Sequence, residues 1–68
     1  MEVRICFRAE VTLSGDTLAD IAKDYLVMNL LSQEALENGG EFIETLSVEK
    51  GGTHEDITNE FKSNYNLN

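Results

Sequence analysis

Sixty-eight residues, with thirteen acids against five bases, a net charge of −8 and one cysteine, describe a single small acidic domain. That balance excludes nucleic acid and anionic membrane as direct partners, because both need a positive face, and one cysteine excludes an internal disulfide. A chain this short buries only about 60% of its unfolded surface, and no zinc-site spacing supports it, so self-association as a homodimer is expected.

From Met1 to Leu13 the residues Val3, Ile5, Phe7, Ala9, Val11 and Leu13 fall at every second position, the period of a strand with one buried face. Glu2, Arg4, Cys6, Arg8, Glu10 and Thr12 share the opposite face, which is expected to meet water. At roughly 3.3 Å per residue such a strand would reach about 40 Å, so it either bends or pairs with more than one neighbour.

Ser14-Gly15-Asp16-Thr17 is a turn into a helix, with Thr17 and Asp20 at capping-box spacing. Leu18, Ile21, Ala22, Tyr25 and Leu26 recur at helical spacing and predict a helix to about Met28 that lies on the sheet. Val27 to Leu31 is apolar nearly all round, which predicts burial on more than one side or contact with a second subunit. Ser32 is placed to cap a short turn from Gln33 to Glu37, with Leu36 pointing in, and Asn38-Gly39-Gly40 ends it.

Glu41 to Glu49 predicts a second strand, rich in Phe42, Ile43, Thr45, Leu46 and Val48. Its alternation is imperfect, because Glu44 shares a face with Phe42, Leu46 and Val48, and a bulge or a partly covered second face would explain this. Lys50-Gly51-Gly52 breaks the chain, Thr53 and Asp56 repeat the capping-box spacing, and Ile57 and Phe61 lie four apart on the helix that follows. Asn64 to Asn68 are expected to fray, although Tyr65 and Leu67 can extend the contact. The expected fold is α+β, a β-α-β-α domain of two strands covered on one face by helices, with the sheet extended by homodimerisation. Pairing stays open between parallel, through a right-handed crossover, and antiparallel.

No catalytic residue, cofactor or metal ligand is expected. Asp16, Asp20 and Asp24 recur at every fourth position, a spacing at which like charges cost a few tenths of a kcal/mol per pair. The plain reading is a solvated face; the functional one is a surface for a basic protein, because carboxylates every ~6 Å of helix axis are too sparse to imitate one duplex charge per ~1.7 Å. Lys50-Gly51-Gly52-Thr53 places glycine amides before a helix start, so Gly51, Gly52 and Thr53 are the candidate anion-binding residues. It lacks the P-loop spacing, and Glu49, Glu55 and Asp56 would repel a phosphate. His54, the one histidine, lacks a second nitrogen or sulfur ligand and reads as an exposed first-turn residue. Cys6 has Arg4 and Arg8 two residues to either side; nearby cations activate a thiol, and the plain alternative is a small half-buried strand residue. Arg4 and Arg8 join the three aspartates as candidate partner-binding residues. Apolar residues at the amino end alternate with charges instead of forming a signal block, and the longest apolar run, Tyr25 to Met28, is far below bilayer length. A cytoplasmic protein is expected.

The run Glu41-Phe42-Ile43-Glu44-Thr45-Leu46-Ser47-Val48-Glu49, followed by Thr53-His54-Glu55-Asp56-Ile57, joins the opening strand and Gly15-Asp16-Thr17-Leu18 in a pattern that resembles short acidic proteins encoded on bacterial phages and mobile elements. The resemblance implies a small accessory protein that binds and blocks a host or defence protein. It carries over no functional residue.

Overall fold

The computed structural model describes residues 1–28, 37 and 40–65. Its elements are β1 (Glu2–Phe7), β2 (Ala9–Ser14), α1 (Leu18–Val27), α2 (Gly40–Thr45), β3 (Ser47–Lys50) and α3 (Thr58–Ser63). The fold is α+β, as expected. Its sheet has three strands in the order β2-β1-β3, both pairings antiparallel.

The single opening strand of the sequence reading is in fact a hairpin. Phe7 pairs with Ala9, Ile5 with Val11 and Val3 with Leu13, so the chain reverses at Arg8, which takes φ 65. Pairs placed symmetrically about residue 8 join odd with odd and even with even. The inward residues of β1 therefore face the inward residues of β2, and the period of two crosses the turn unbroken. Val3, Ile5 and Phe7 are buried, while Val11 and Leu13 pack against the core from a half-buried position.

The predicted strand from Glu41 to Glu49 divides into α2 and β3. Leu46 N–H donates to the Phe42 carbonyl at 3.0 Å, a helical i to i−4 bond, and both side chains are buried. Gly40, expected to end a turn, is helical. Gln33 to Leu36 and Ser32, Asn38 and Gly39 lie outside the described residues, as does Leu67. β3 then crosses β1 with Ile5 opposite Val48 and Arg4 opposite Glu49.

Thr17 caps α1 as the spacing predicts, its Oγ1 accepting from Asp20 N–H at 3.2 Å, and Ile21, Ala22 and Tyr25 are buried. Val27 and Met28 are 68% and 56% exposed, so the described part of the all-apolar stretch is not buried. The predicted capping box at Thr53 and Asp56 does not start a helix: α3 begins at Thr58, with Ile57 as its cap residue. Thr58 N–H instead donates to Asp56 Oδ1 at 3.0 Å. Ile57 and Phe61 are both buried.

All five aromatic rings of the chain join in one edge-to-face series. Phe7 meets Phe42 at 5.1 Å, Phe42 meets Tyr65 at 5.9 Å, Tyr65 meets Phe61 at 5.5 Å and Phe61 meets Tyr25 at 5.9 Å. Tyr65, expected at a fraying end, closes the core, and its hydroxyl donates to the Ala22 carbonyl at 2.6 Å. Burial holds the Tyr65 phenol well above its ordinary range, helped by Tyr25. Burial also raises Tyr25, with a smaller effect from Cys6. Both phenols stay protonated in the folded chain at a pH where the unfolded chain begins to lose them, about 10. The phenols' contribution to stability is therefore expected to be full below that pH and to fall as the pH rises past it. Urea midpoints across about pH 8 to 11 should show the fall, and Tyr65→Phe should remove part of the slope.

Candidate functional site

The helices cover one face of the sheet, and the polar face of β1 and β2 lies open. Arg4 stands at its centre, in register with Thr12 on one side and Glu49 on the other. Its guanidinium donates to Glu49 Oε2 and lies 3.5 Å from Glu10 Oε1. His54 Nδ1 approaches the same Glu49 oxygen at 3.5 Å. The carboxylates raise the Arg4 pKa, the Glu49 hydrogen bond foremost. Arg4 is thus already matched by acids of its own chain. Its first role is to tie the three strands together on the wet side.

A hollow of about 150 Å³ beside this cluster is lined by Glu2, Arg4, Thr12, Glu49, Lys50, Gly51, Gly52 and His54. It is small beside the roughly 300–1,000 Å³ of typical ligand pockets. It brings Arg4 next to the candidate anion turn, which the sequence kept apart. The turn itself is explained by backbone geometry. A Cβ on Gly51 would lie 3.0 Å from the Glu2 carbonyl oxygen, to which Gly51 N–H donates at 2.7 Å. Gly52 takes φ +85, a conformation that favours glycine. Thr53 Oγ1 accepts from Glu55 N–H at 3.4 Å. With α3 starting only at Thr58, the helix amino end required of an anion site is not at this turn. His54, expected in a first helical turn, sits in the loop at φ 60.

The expected flanking of Cys6 is also changed. Arg4 shares its face, but Arg8 has left the strand at the reversal, where its guanidinium lies over the Phe7 ring at 5.1 Å from the centroid. Cys6 is half-buried, with Glu10 and Ser47 as its cross-strand neighbours. A flatter hollow of about 240 Å³ at the hairpin tip is lined by Cys6, Phe7, Arg8, Ala9, Glu10 and Thr45.

Asp16, Asp20 and Asp24 are all exposed. The stripe is shorter than its spacing implies, because α1 starts at Leu18 and Asp16 belongs to the preceding turn. Among the described residues no group of three or more His, Cys, Asp or Glu side chains is placed to hold a metal ion, and no helix is long and apolar enough to cross a membrane.

No protein-family model, no curated protein and no solved structure matches this chain.

What the surface offers is an acidic helix face, an open sheet face whose central cation is matched by acids of its own chain, and an edge of β2 that pairs with no strand among the described residues. Sequence patterning located the first two. The third depends on strand order, which only the fold supplies.

Proposed function

We propose that this chain is a non-enzymatic protein-binding module, an acidic accessory protein of the phage or mobile-element kind it resembles, which blocks a basic surface of a host or defence protein in the cytoplasm and does so as a homodimer. The observation that carries this is the exposure of Asp16, Asp20 and Asp24 on a chain of charge −8, whose central arginine is taken up by Glu10 and Glu49. Such a surface attracts a positive partner over about 8–10 Å at physiological salt. It also repels nucleic acid and anionic lipid.

Capture from a bacterial lysate at physiological salt tests the proposal, with the wild type compared against a variant carrying Asp16→Lys, Asp20→Lys and Asp24→Lys. The wild type is expected to retain a discrete basic partner that the reversed variant loses. Identical behaviour of the two proteins, or no partner for either, would refute it.

A further inference from the structure

The two edges of the sheet are treated differently by the chain. The outer edge of β3 is sealed by the segment leading into α3. Lys50 N–H donates to the Glu55 carbonyl at 2.8 Å and Ile57 N–H to the Val48 carbonyl at 2.9 Å, while Val48 N–H donates to Thr58 Oγ1 at 3.0 Å. The outer edge of β2, by contrast, pairs with no strand among the described residues.

Which groups that edge offers follows from the ladder. The Met1 and Gly15 backbones exchange both hydrogen bonds, at 2.8 and 2.9 Å. Hydrogen-bonded pairs alternate along an antiparallel ladder, so Leu13, Val11 and Ala9 point their N–H and C=O groups at β1. Glu10, Thr12 and Ser14 point theirs outward. Their side chains are all exposed. An unpaired edge of this kind is a template for another strand.

We propose that β2 pairs antiparallel with β2 of a second copy about a two-fold axis at Thr12, joining the two three-stranded sheets into one. This deepens the contact-module reading above and rests on it for the expectation of a homodimer. Charge selects both the occupant and the register. With the axis at Thr12, Glu10 faces Ser14 of the second copy, and Arg8, just before β2, comes to the same end of the seam as the second copy's Asp16, just after it, twice over by symmetry. An axis at Glu10 would oppose Glu10 to itself, and an axis at Leu13 would oppose Glu10 to Asp16; like charges directly opposite are destabilising. An axis at Val11 avoids repulsion and gains no ion pair. On the core side the Thr12 axis sets half-buried Val11 against Leu13 of the second copy, covering apolar surface that the single copy leaves wet. Up to about six ladder hydrogen bonds would form.

Sedimentation of the full chain from about 1 to 100 µM, with thermal melts to confirm folding, tests this. The wild type is expected to dimerise. Thr12→Pro removes an N–H that points away from the hairpin, and is expected to weaken association about tenfold or more while the monomer still melts cooperatively. Arg8→Asp and Asp16→Arg are each expected to weaken it several-fold, and the double variant to recover it. A wild type that stays monomeric at the highest concentration overturns the proposal. So does a dimer that a folded Thr12→Pro leaves intact, or a double charge swap that restores nothing. Lysate capture by a monomeric wild type refutes the edge pairing and the homodimer while leaving the basic-partner reading in place, whereas a dimer without capture supports the edge pairing and refutes the partner reading.

Discussion

Phe42→Ala is expected to remove a large share of the protein's stability at 25 °C, about 3–5 kcal/mol. The ring is fully buried, stands edge-on to Phe7 at 5.1 Å and to Tyr65 at 5.9 Å, and joins α2 to the sheet. Truncating a buried phenylalanine costs about 3–5 kcal/mol, from lost transfer energy and the cavity left behind. A domain of this length holds roughly 3–10 kcal/mol in total. The described span of α2 is six residues, Gly40–Thr45, and a helix that short does not hold together without its packing. Its loss should therefore release Leu46 and loosen the entry to β3. Urea unfolding followed by far-UV circular dichroism gives the measurement, with Phe42→Leu as the control that keeps most of the volume and costs about 1.5 kcal/mol or less. An alanine variant within about 1 kcal/mol of wild type would mean that α2 is not seated on the sheet as described.

Thr58→Val is the second large effect, about 1–3 kcal/mol. Thr58 Oγ1 accepts the Val48 N–H at 3.0 Å and donates to Asp56 Oδ1 at 2.5 Å, so one hydroxyl seals the β3 edge and fixes the turn into α3. Valine keeps the shape and removes both bonds, leaving a part-buried amide without its acceptor. Exchange of the Val48 amide should quicken accordingly. The same substitution has a pH signature. The Thr58 hydroxyl, and then its N–H, hold the Asp56 carboxyl below its ordinary range. A depressed carboxyl contributes stability that is present above its unfolded value, near 3.9, and is lost as the pH falls through the lower folded value. Thr58→Val should flatten this acid limb, because it removes the largest of the interactions that stabilise the carboxylate and leaves the backbone N–H and the weaker pull of Lys62. Urea midpoints from about pH 2 to 7 decide it, and an acid limb unchanged in the variant would place the depression elsewhere.

Phe42 meets Phe7 and Tyr65, and Thr58 meets Val48, across ten residues of chain or more, and contacts of that kind are the features least legible in the sequence. The reversal at Arg8 was hidden for a definite reason. No glycine, asparagine or proline marks it, and a turn centred on one residue preserves parity, so the inward set continues as though the strand were unbroken. α2 is hidden for another reason. Thr45 and Ile43 favour strands, yet Phe42 and Leu46 are four apart, and their helical spacing was the available signal behind the broken alternation. The turn at Lys50 to Thr53 was placed correctly, but the glycines there answer to the Glu2 backbone and a positive φ, which nothing local announces.

By itself the sequence determined the α+β class, the inward set of the opening segment apart from Ala9, which is exposed, the span and cap of α1, the turn before α3 and the acidic balance of the chain. These follow from side-chain periodicity and local capping chemistry, which act over a few residues. Only the tertiary structure decided that the opening segment is two strands, that Arg4 is shared by Glu10 and Glu49, that Tyr65 closes an aromatic core, and that one sheet edge is sealed while β2 has no outer strand among the described residues. Periodicity reports which face a side chain occupies. It is silent on which backbone groups find partners across the sheet, because those bonds join residues that the chain brings together only when it folds.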